Sequence, residues 1–506
     1  MNERQVNNQK NKSRKEVLLF FITKVIVGLA SIISISIRSS YIDPGAFGQY
    51  SIANQTVTLC ISIFVAWIVE SATRYYDENT GQLKTFYSTT SINWFISLVI
   101  ACGILVGIGF LLPETFVKQY LFLSLCLLIT MSSMQFLEAI ARVAHQVLFY
   151  SISSLFIAVL NICLFLVFGQ YFKVEALFLT TISIDFLFSL VAFFYFKIFK
   201  YFSFSSYSWK FSLREMKYGL PFIISWAISW IFSSSDLYVI QFLTHSDINS
   251  GVYQMSSTMS EKTISIIADA FSFSIYPTLI TLWNKKCIDE INRLITKYIT
   301  YYFLIGFPAL VGLAAISPLL YGTVIESSYN PNGNGVFIII CLSSAFFLRG
   351  YIGIVSRYWF LEEKPLKIVL VNSIGVLLNI GFDVLFVWLY GYLFAAVTTA
   401  AIFFLLAASY TIVIRKTYHF KIEILPLLRI ILSSVAMGVS VYFLGALFPH
   451  RLLFVIVIVL IGIAIYFAIL LLLGGWKEAK KIWKEATIKF FKKHDEENDS
   501  KGQSNP

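Results

Sequence analysis

The amino-acid sequence predicts an all-α integral membrane protein of about fourteen spanning helices, and three observations predict it. Of 506 residues, 58% are hydrophobic and only 13% charged, a balance that soluble domains do not show. Aromatic side chains abound, with 48 Phe, 28 Tyr and 10 Trp, more than a water-facing surface carries and what lipid-facing helices and interfacial belts accept. Apolar stretches of the ~20 residues that cross a bilayer recur along the whole chain, under a mean hydropathy of +0.75. A soluble enzyme is excluded.

In order, the stretches lie near residues 17–37, 50–70, 91–112, 119–140, 148–168 and 174–199, then near 218–242, 252–282, 298–320, 336–360, 366–389, 392–414, 427–448 and 452–473. The first is too long for a signal-peptide core and lacks a small-residue cleavage site, so behind Lys10, Lys12, Arg14 and Lys15 it reads as a retained signal anchor. Of the 39 Lys and Arg, 31 fall in the N-tail, alternate loops and the C-tail. Arg38, Lys118, Lys173 and Arg451 fall on the other side, and Lys24, Lys262, Arg349 and Arg357 lie within helices. Basic residues stay inside, so this bias predicts an even helix number and two cytoplasmic termini. Outer loops are too short for a catalytic domain. In the C-tail, Trp476, Ala479, Trp483, Ala486 and Phe490 share one helical face, ringed by Lys477, Lys480, Lys481, Lys484 and Lys492, the pattern of an interfacial helix. The polar run 494–506 is expected to be disordered.

The expected division is a cytoplasmic N-tail (1–16), an N-lobe (17–199), a cytoplasmic linker (200–217), a C-lobe (218–414), two further helices (427–473) and a cytoplasmic tail (474–506). The net charge of +11 is explained by topology, so nucleic acid is not an expected partner. Cys60, Cys102, Cys126, Cys163 and Cys341 sit in apolar stretches and Cys287 in a basic loop, which predicts no disulfide framework. His145, His245, His419, His450 and His494 show no metal-ligand spacing with them, and no phosphate-binding Gly-rich loop is present, so neither metal chemistry nor ATP hydrolysis is expected.

An internal repeat is visible in two turns. Residues 41–50 end in Gly48-Gln49-Tyr50 and residues 244–253 end in Gly251-Val252-Tyr253, both at an offset of 203. The offset carries the first stretch onto the seventh, so stretches one to six and seven to twelve read as parallel copies about an axis along the membrane normal.

These Gly-x-Tyr turns, together with Leu220-Pro221 and Asp236 in the seventh stretch, resemble the multidrug/oligosaccharidyl-lipid/polysaccharide (MOP) exporter superfamily, and within it the polysaccharide-type flippases, O-antigen flippases of lipopolysaccharide assembly included. The resemblance runs from about Val17 to Leu473. It implies two six-helix lobes around a central cavity lined by the first, second, seventh and eighth helices, opening alternately to each side, with two extra helices at the end.

The residues themselves add polar faces to this picture. Ser225, Ser229, Ser233 and Asp236 step along the seventh stretch; Thr258, Lys262, Ser265, Asp269, Ser272 and Tyr276 along the eighth; Ser51, Gln55, Thr58 and Ser62 along the second; Lys24, Gly28, Ser31 and Arg38 along the first. A charge at mid-membrane costs roughly 2.5–3.5 kcal/mol even on the lenient insertion scale, so such faces turn to a wet cavity or to protein. Lys24, Arg38, Lys262 and Arg349 are the candidate substrate-binding cations. Asp236, Glu261 and Asp269 are the candidate ion-coupling carboxylates, for a proton or a sodium ion; no other cofactor is expected. Structural pairing competes with each of these roles, and Asp185 and Asp383 are left open. No charge repeats at the offset, since Lys24 maps onto Ala227 and Asp236 onto Ile33. An asymmetric lining suits a substrate with one charged end, such as a diphosphate carrying sugars.

The expected function is therefore flipping of lipid-linked (polyprenyl-diphosphate) oligosaccharide across the bacterial cytoplasmic membrane for surface polysaccharide. Its expected partners are that substrate, membrane lipids, and assembly proteins such as a polysaccharide polymerase. Two alternatives remain: a drug or organic-cation antiporter of the same superfamily, and a membrane polymerase or glycosyltransferase.

Overall fold

The computed structural model describes residue 23 and residues 26–76, 83–111, 119–143, 147–449 and 451–474. Lys24, the expected interfacial helix of the C-tail and the expected disordered run lie outside them. The described chain is helical: α1 (Ile26–Tyr41), α2 (Pro44–Phe64), α3 (Ala66–Tyr75), α4 (Leu83–Leu111), α5 (Leu121–Val143), α6 (Val147–Phe168), α7 (Val174–Tyr195), α8 (Trp209–Gly219), α9 (Phe222–Thr244), α10 (Asp247–Asn284), α11 (Ile288–Leu320), α12 (Asn334–Val355), α13 (Pro365–Tyr390), α14 (Phe394–Tyr418), α15 (Ile424–Leu447) and α16 (Leu452–Leu472). A single isolated bridge, Tyr321 with Ile325, is the one β feature among the described residues.

A helix lies on each of the fourteen apolar stretches, and eleven of those described are long and apolar enough to cross a membrane. A twelfth span is formed if α2 and α3, bent by 45° at their junction, are counted together. The two that fall short are α1, brief over its described part, and α10, which is 38 residues long but carries Glu261, Lys262 and Asp269 in its middle. Apolar side chains such as Phe95, Phe110, Leu377, Trp388, Leu453 and Leu460 point outward, an apolar surface that water would not tolerate and lipid does.

Local chemistry sets the helix ends. Asp43 caps α2, accepting from the Ala46 amide at 3.0 Å, with Pro44 in the first turn where its missing N–H costs nothing. Ser246 caps α10 in the same way through the Asn249 amide, and His245 closes α9 with φ of 49°. The end of the bundle that bears the α1–α2 and α9–α10 turns is the upper end, and the end bearing the 196–221 connection is the lower.

At the upper end the two repeated turns meet. α2 packs on α10 and α9, and at their crossing the backbones touch: a Cβ on Gly251 would fall on the Pro44 carbonyl, and one on Gly48 on the Asp247 carbonyl. Only glycine allows this approach. Asp247 fastens the crossing, accepting from Gln49 Nε2 at 3.0 Å and from Gln241 Nε2 at 2.9 Å. Tyr329, fully buried, donates to the Ile42 carbonyl at 2.8 Å, so the α11–α12 connection covers the same end.

At the lower end α8 ties the linker to the first half. Its Glu215 is fully buried, accepting from Thr90 Oγ1 at 2.5 Å and Asn93 Nδ2 at 2.7 Å. Ser71 Oγ donates to the Glu215 carbonyl at 2.9 Å, and the Ser203 and Ser208 amides donate to Ser88 and Thr89. The opposite face of α8 exposes Trp209 and Leu213 among Lys210, Arg214 and Lys217, as an interfacial helix does. The last two helices stand apart: α15 packs on α11, and α16 on α15.

Candidate functional site

Two groups of polar side chains stand within the apolar helices. The first is buried in the second half, where α9, α10, α13 and α14 converge. Asp236 on α9 accepts from Thr399 Oγ1 at 2.7 Å and from the Tyr253 hydroxyl. Asp383 on α13 accepts from Asn379 Nδ2 at 2.9 Å and from the Thr398 hydroxyl. The two carboxyl groups are within hydrogen-bonding reach of each other, and all six side chains are buried. Neither carboxyl has a cationic partner among the described residues. Asn379 Oδ1 is buried with no partner.

This arrangement constrains the charge. Two adjacent carboxylates sealed from water cannot both stay ionised without a counter-charge, because desolvation and mutual repulsion act in the same direction. Either a proton is shared between them or a small cation sits with them. The residues present fit a sodium ion, since the neighbouring groups offer oxygens, and the orphan Asn379 Oδ1 is an acceptor that a shared proton leaves without a partner.

The second group is exposed. Arg349 on α12 meets Glu261 on α10, Nη1 to Oε1 at 3.8 Å, with side chains 47% and 40% exposed. Lys262 is exposed beside them and has no ionic partner among the described residues. Lys262 is fifteen residues below the start of α10, and Arg349 fifteen below the start of α12. At 1.5 Å per residue both stand ~22 Å from the upper end, deep in the span. Asp269 is exposed two turns further down α10.

Arg38 is not brought to this group. It sits near the upper end of α1, where its Nη2 donates to Asn161 Oδ1 at 3.0 Å and its guanidinium lies over the Phe165 ring. Ser34 donates to the same Asn161 oxygen. The expected stripe of α9 also divides: Ser229 and Ser233 are exposed, whereas Asp236 is buried. The step from Ser233 to Asp236 is three residues, 60° short of a full helical turn, and it swings the carboxyl off the stripe toward α13 and α14. Asp383 was open in the sequence, and Asn379, Thr398 and Thr399 carried no role. The available signal was Asn379 and Asp383 at i and i+4 inside an apolar span, where polar groups are costly.

No protein-family model matches the chain, and no curated protein matches it significantly. Solved structures do match. A lipid II flippase MurJ in an inward closed conformation aligns with a TM-score of 0.66 and 14% identity over 94% of this chain and 99% of that one. An inward-facing multidrug resistance MATE family transporter of the MOP superfamily aligns at 0.63 and 13% identity, over 79% and 98%. A MOP superfamily transporter from Pyrococcus furiosus, described as having a binding pocket of reversed polarity, aligns at 0.57 and 14% identity, over 80% and 96%. This chain shares their fold. The match to the flippase leaves too few residues uncovered to omit both α15 and α16; the other two cover lengths about two helices shorter.

Proposed function

We propose that this chain is a transporter of the MOP superfamily, a fourteen-span flippase of two six-helix lobes that moves lipid-linked oligosaccharide across the bacterial cytoplasmic membrane by alternating access. Lys262 carries the proposal: an exposed ammonium ~22 Å from the upper end is too costly against lipid and belongs in a wet path, beside an Arg349 whose planar fork suits a diphosphate. Lys24, outside the described residues, is assigned to the same substrate from the sequence alone. The Asp236–Asp383 pair is too enclosed for an organic cation and serves the coupling ion, sodium in preference to a proton; Glu261 offsets Arg349. The length match to a lipid II flippase supports a polyprenyl-linked substrate over the drug-antiporter alternative, with α15 and α16 facing its tail or the bilayer.

Two results test this reading. In cells or reconstituted vesicles, Lys262→Ala and Arg349→Ala are expected to cut translocation of the diphosphate-linked glycan at least tenfold, and Arg349→Lys to fall measurably for want of its fork. Wild-type export by Lys24→Ala, Lys262→Ala and Arg349→Ala alike overturns the anionic substrate; uptake of an organic cation instead supports the antiporter. The upper end is assigned to the outside. A reporter active only in the cytoplasm, fused after Gly474, is expected to be active, and its silence reverses the topology.

A further inference from the structure

We infer that Tyr253 is the positioning residue that links the Asp236–Asp383 pair to the upper seal between the two halves. The inference rests on the reading of that pair as a cation site and names how its occupancy is felt at the other end of α10.

The geometry is compact. Tyr253 is buried, and its hydroxyl donates to Asp236. Two residues before it, Gly251 is where α10 lies backbone to backbone on Pro44 and Gly48 of α2. Four residues before that, Asp247 holds Gln49 of the first half and Gln241 of its own. Seal and hydroxyl thus share the first two turns of one helix, ~9 Å long, and a helix of this length moves as a rigid unit. Asp236 Oδ2 receives both the Tyr253 and the Thr399 hydroxyls. A cation drawing on that carboxylate changes what the oxygen offers Tyr253, and the change is passed to the turn that carries Gly251.

The repeat supplies an internal control. The counterpart Tyr50 is buried against Phe178, ring centroids 4.9 Å apart and edge to face, and Ile33 stands where Asp236 has its counterpart. The same aromatic residue closes both turns, and only the second copy is wired to an acid. A purely packing role would be served by phenylalanine at either position.

The test uses the full chain in lipid nanodiscs at constant pH, with sodium replaced by choline, read by amide exchange. In the wild type, sodium is expected to slow exchange severalfold both around Asn379–Asp383 and in the segments 44–50 and 247–253. In Tyr253→Phe the first response stays and the second is lost, while Tyr50→Phe keeps both. A Tyr253→Phe protein that still answers sodium at 44–50 and 247–253 overturns the link and leaves the cation site standing. A wild type that shows no sodium response around Asn379–Asp383 overturns the cation site and the link with it. If Tyr253→Phe does not fold, Gln49→Ala decides: the link predicts that 247–253 responds as before while the response in 44–50, left with the Gly251 contact alone, weakens, and an unchanged response in 44–50 rejects it.

Discussion

Alanine at Gly251 is expected to keep the upper end from closing and to reduce transport below a tenth of wild type. The added Cβ would fall on the Pro44 carbonyl, and its other near neighbour is the Gly48 amide. Both are backbone atoms of α2, so no side chain can rotate away and the helices themselves must separate. Overpacking of this kind costs about 1–3 kcal/mol and more where backbone must move, and ~1.4 kcal/mol is a factor of ten. On the proposed alternating-access reading the penalty falls on the upper-closed form alone, so the balance shifts toward the upper-open one and the cycle is expected to stall. Gly48→Ala meets the Asp247 carbonyl and should act alike, with the double variant less than additive because both press on one crossing. Reaction of Gln49→Cys with a membrane-impermeant thiol reagent measures closure: it should rise in the Gly251→Ala background. Unchanged labelling and full transport would show that the crossing opens at no cost.

Raising pH is expected to loosen the lower linker, and Glu215→Gln to remove that dependence. Burial pushes the Glu215 carboxyl up from its usual 4.5 to about 7, against the lowering effect of its bonds from Thr90 and Asn93. Glu70 and Arg74 on α3, Lys84 on α4 and Lys210, Arg214 and Lys217 on α8 are the charged groups of the elements packed here, and the shift is caused chiefly by burial. The docked linker therefore prefers the protonated acid. Docking is at full strength below pH 4.5, weakens as pH rises toward 7, and loses nothing further once the docked carboxyl itself ionises. The span corresponds to about 3 kcal/mol. A nitroxide at Lys210→Cys, an exposed position on α8, should be immobile at pH 5 and clearly more mobile at pH 8, while Glu215→Gln keeps one mobility throughout. A label equally immobile at both values in the wild type would mean that the docked linker tolerates the ionised acid.

Much of the architecture was legible along the chain, because each span satisfies its own backbone and a run of apolar residues is a local property. Thus a helix stands on every one of the fourteen stretches, and both Gly-x-Tyr turns begin helices with polar caps, Asp43 and Ser246. The charged face was partly legible as well: Lys262 and Arg349 stood out as ionisable groups in apolar runs, and they prove to share one depth. Glu261 was legible as a candidate coupling carboxylate, but its pairing with Arg349 was not.

What the sequence by itself determined is which segments are helices and where they turn, the two Gly-x-Tyr turns included, since periodicity, caps and hydropathy act over a few residues. Only the tertiary structure decided which side of each helix meets which neighbour. Asp236 leaves the serine stripe for Asp383 and Asn379 because α13 and α14 pack against that side of α9, 147 residues along the chain. Glu215, in a segment legible only as a cytoplasmic linker, is buried where Thr90 and Asn93 of α4 reach it. Gly48 and Gly251 are repeats in the sequence and a single crossing in space. The cost of burying a carboxyl, or of a methyl at a crossing, depends on atoms brought from elsewhere in the chain, and no local pattern encodes them.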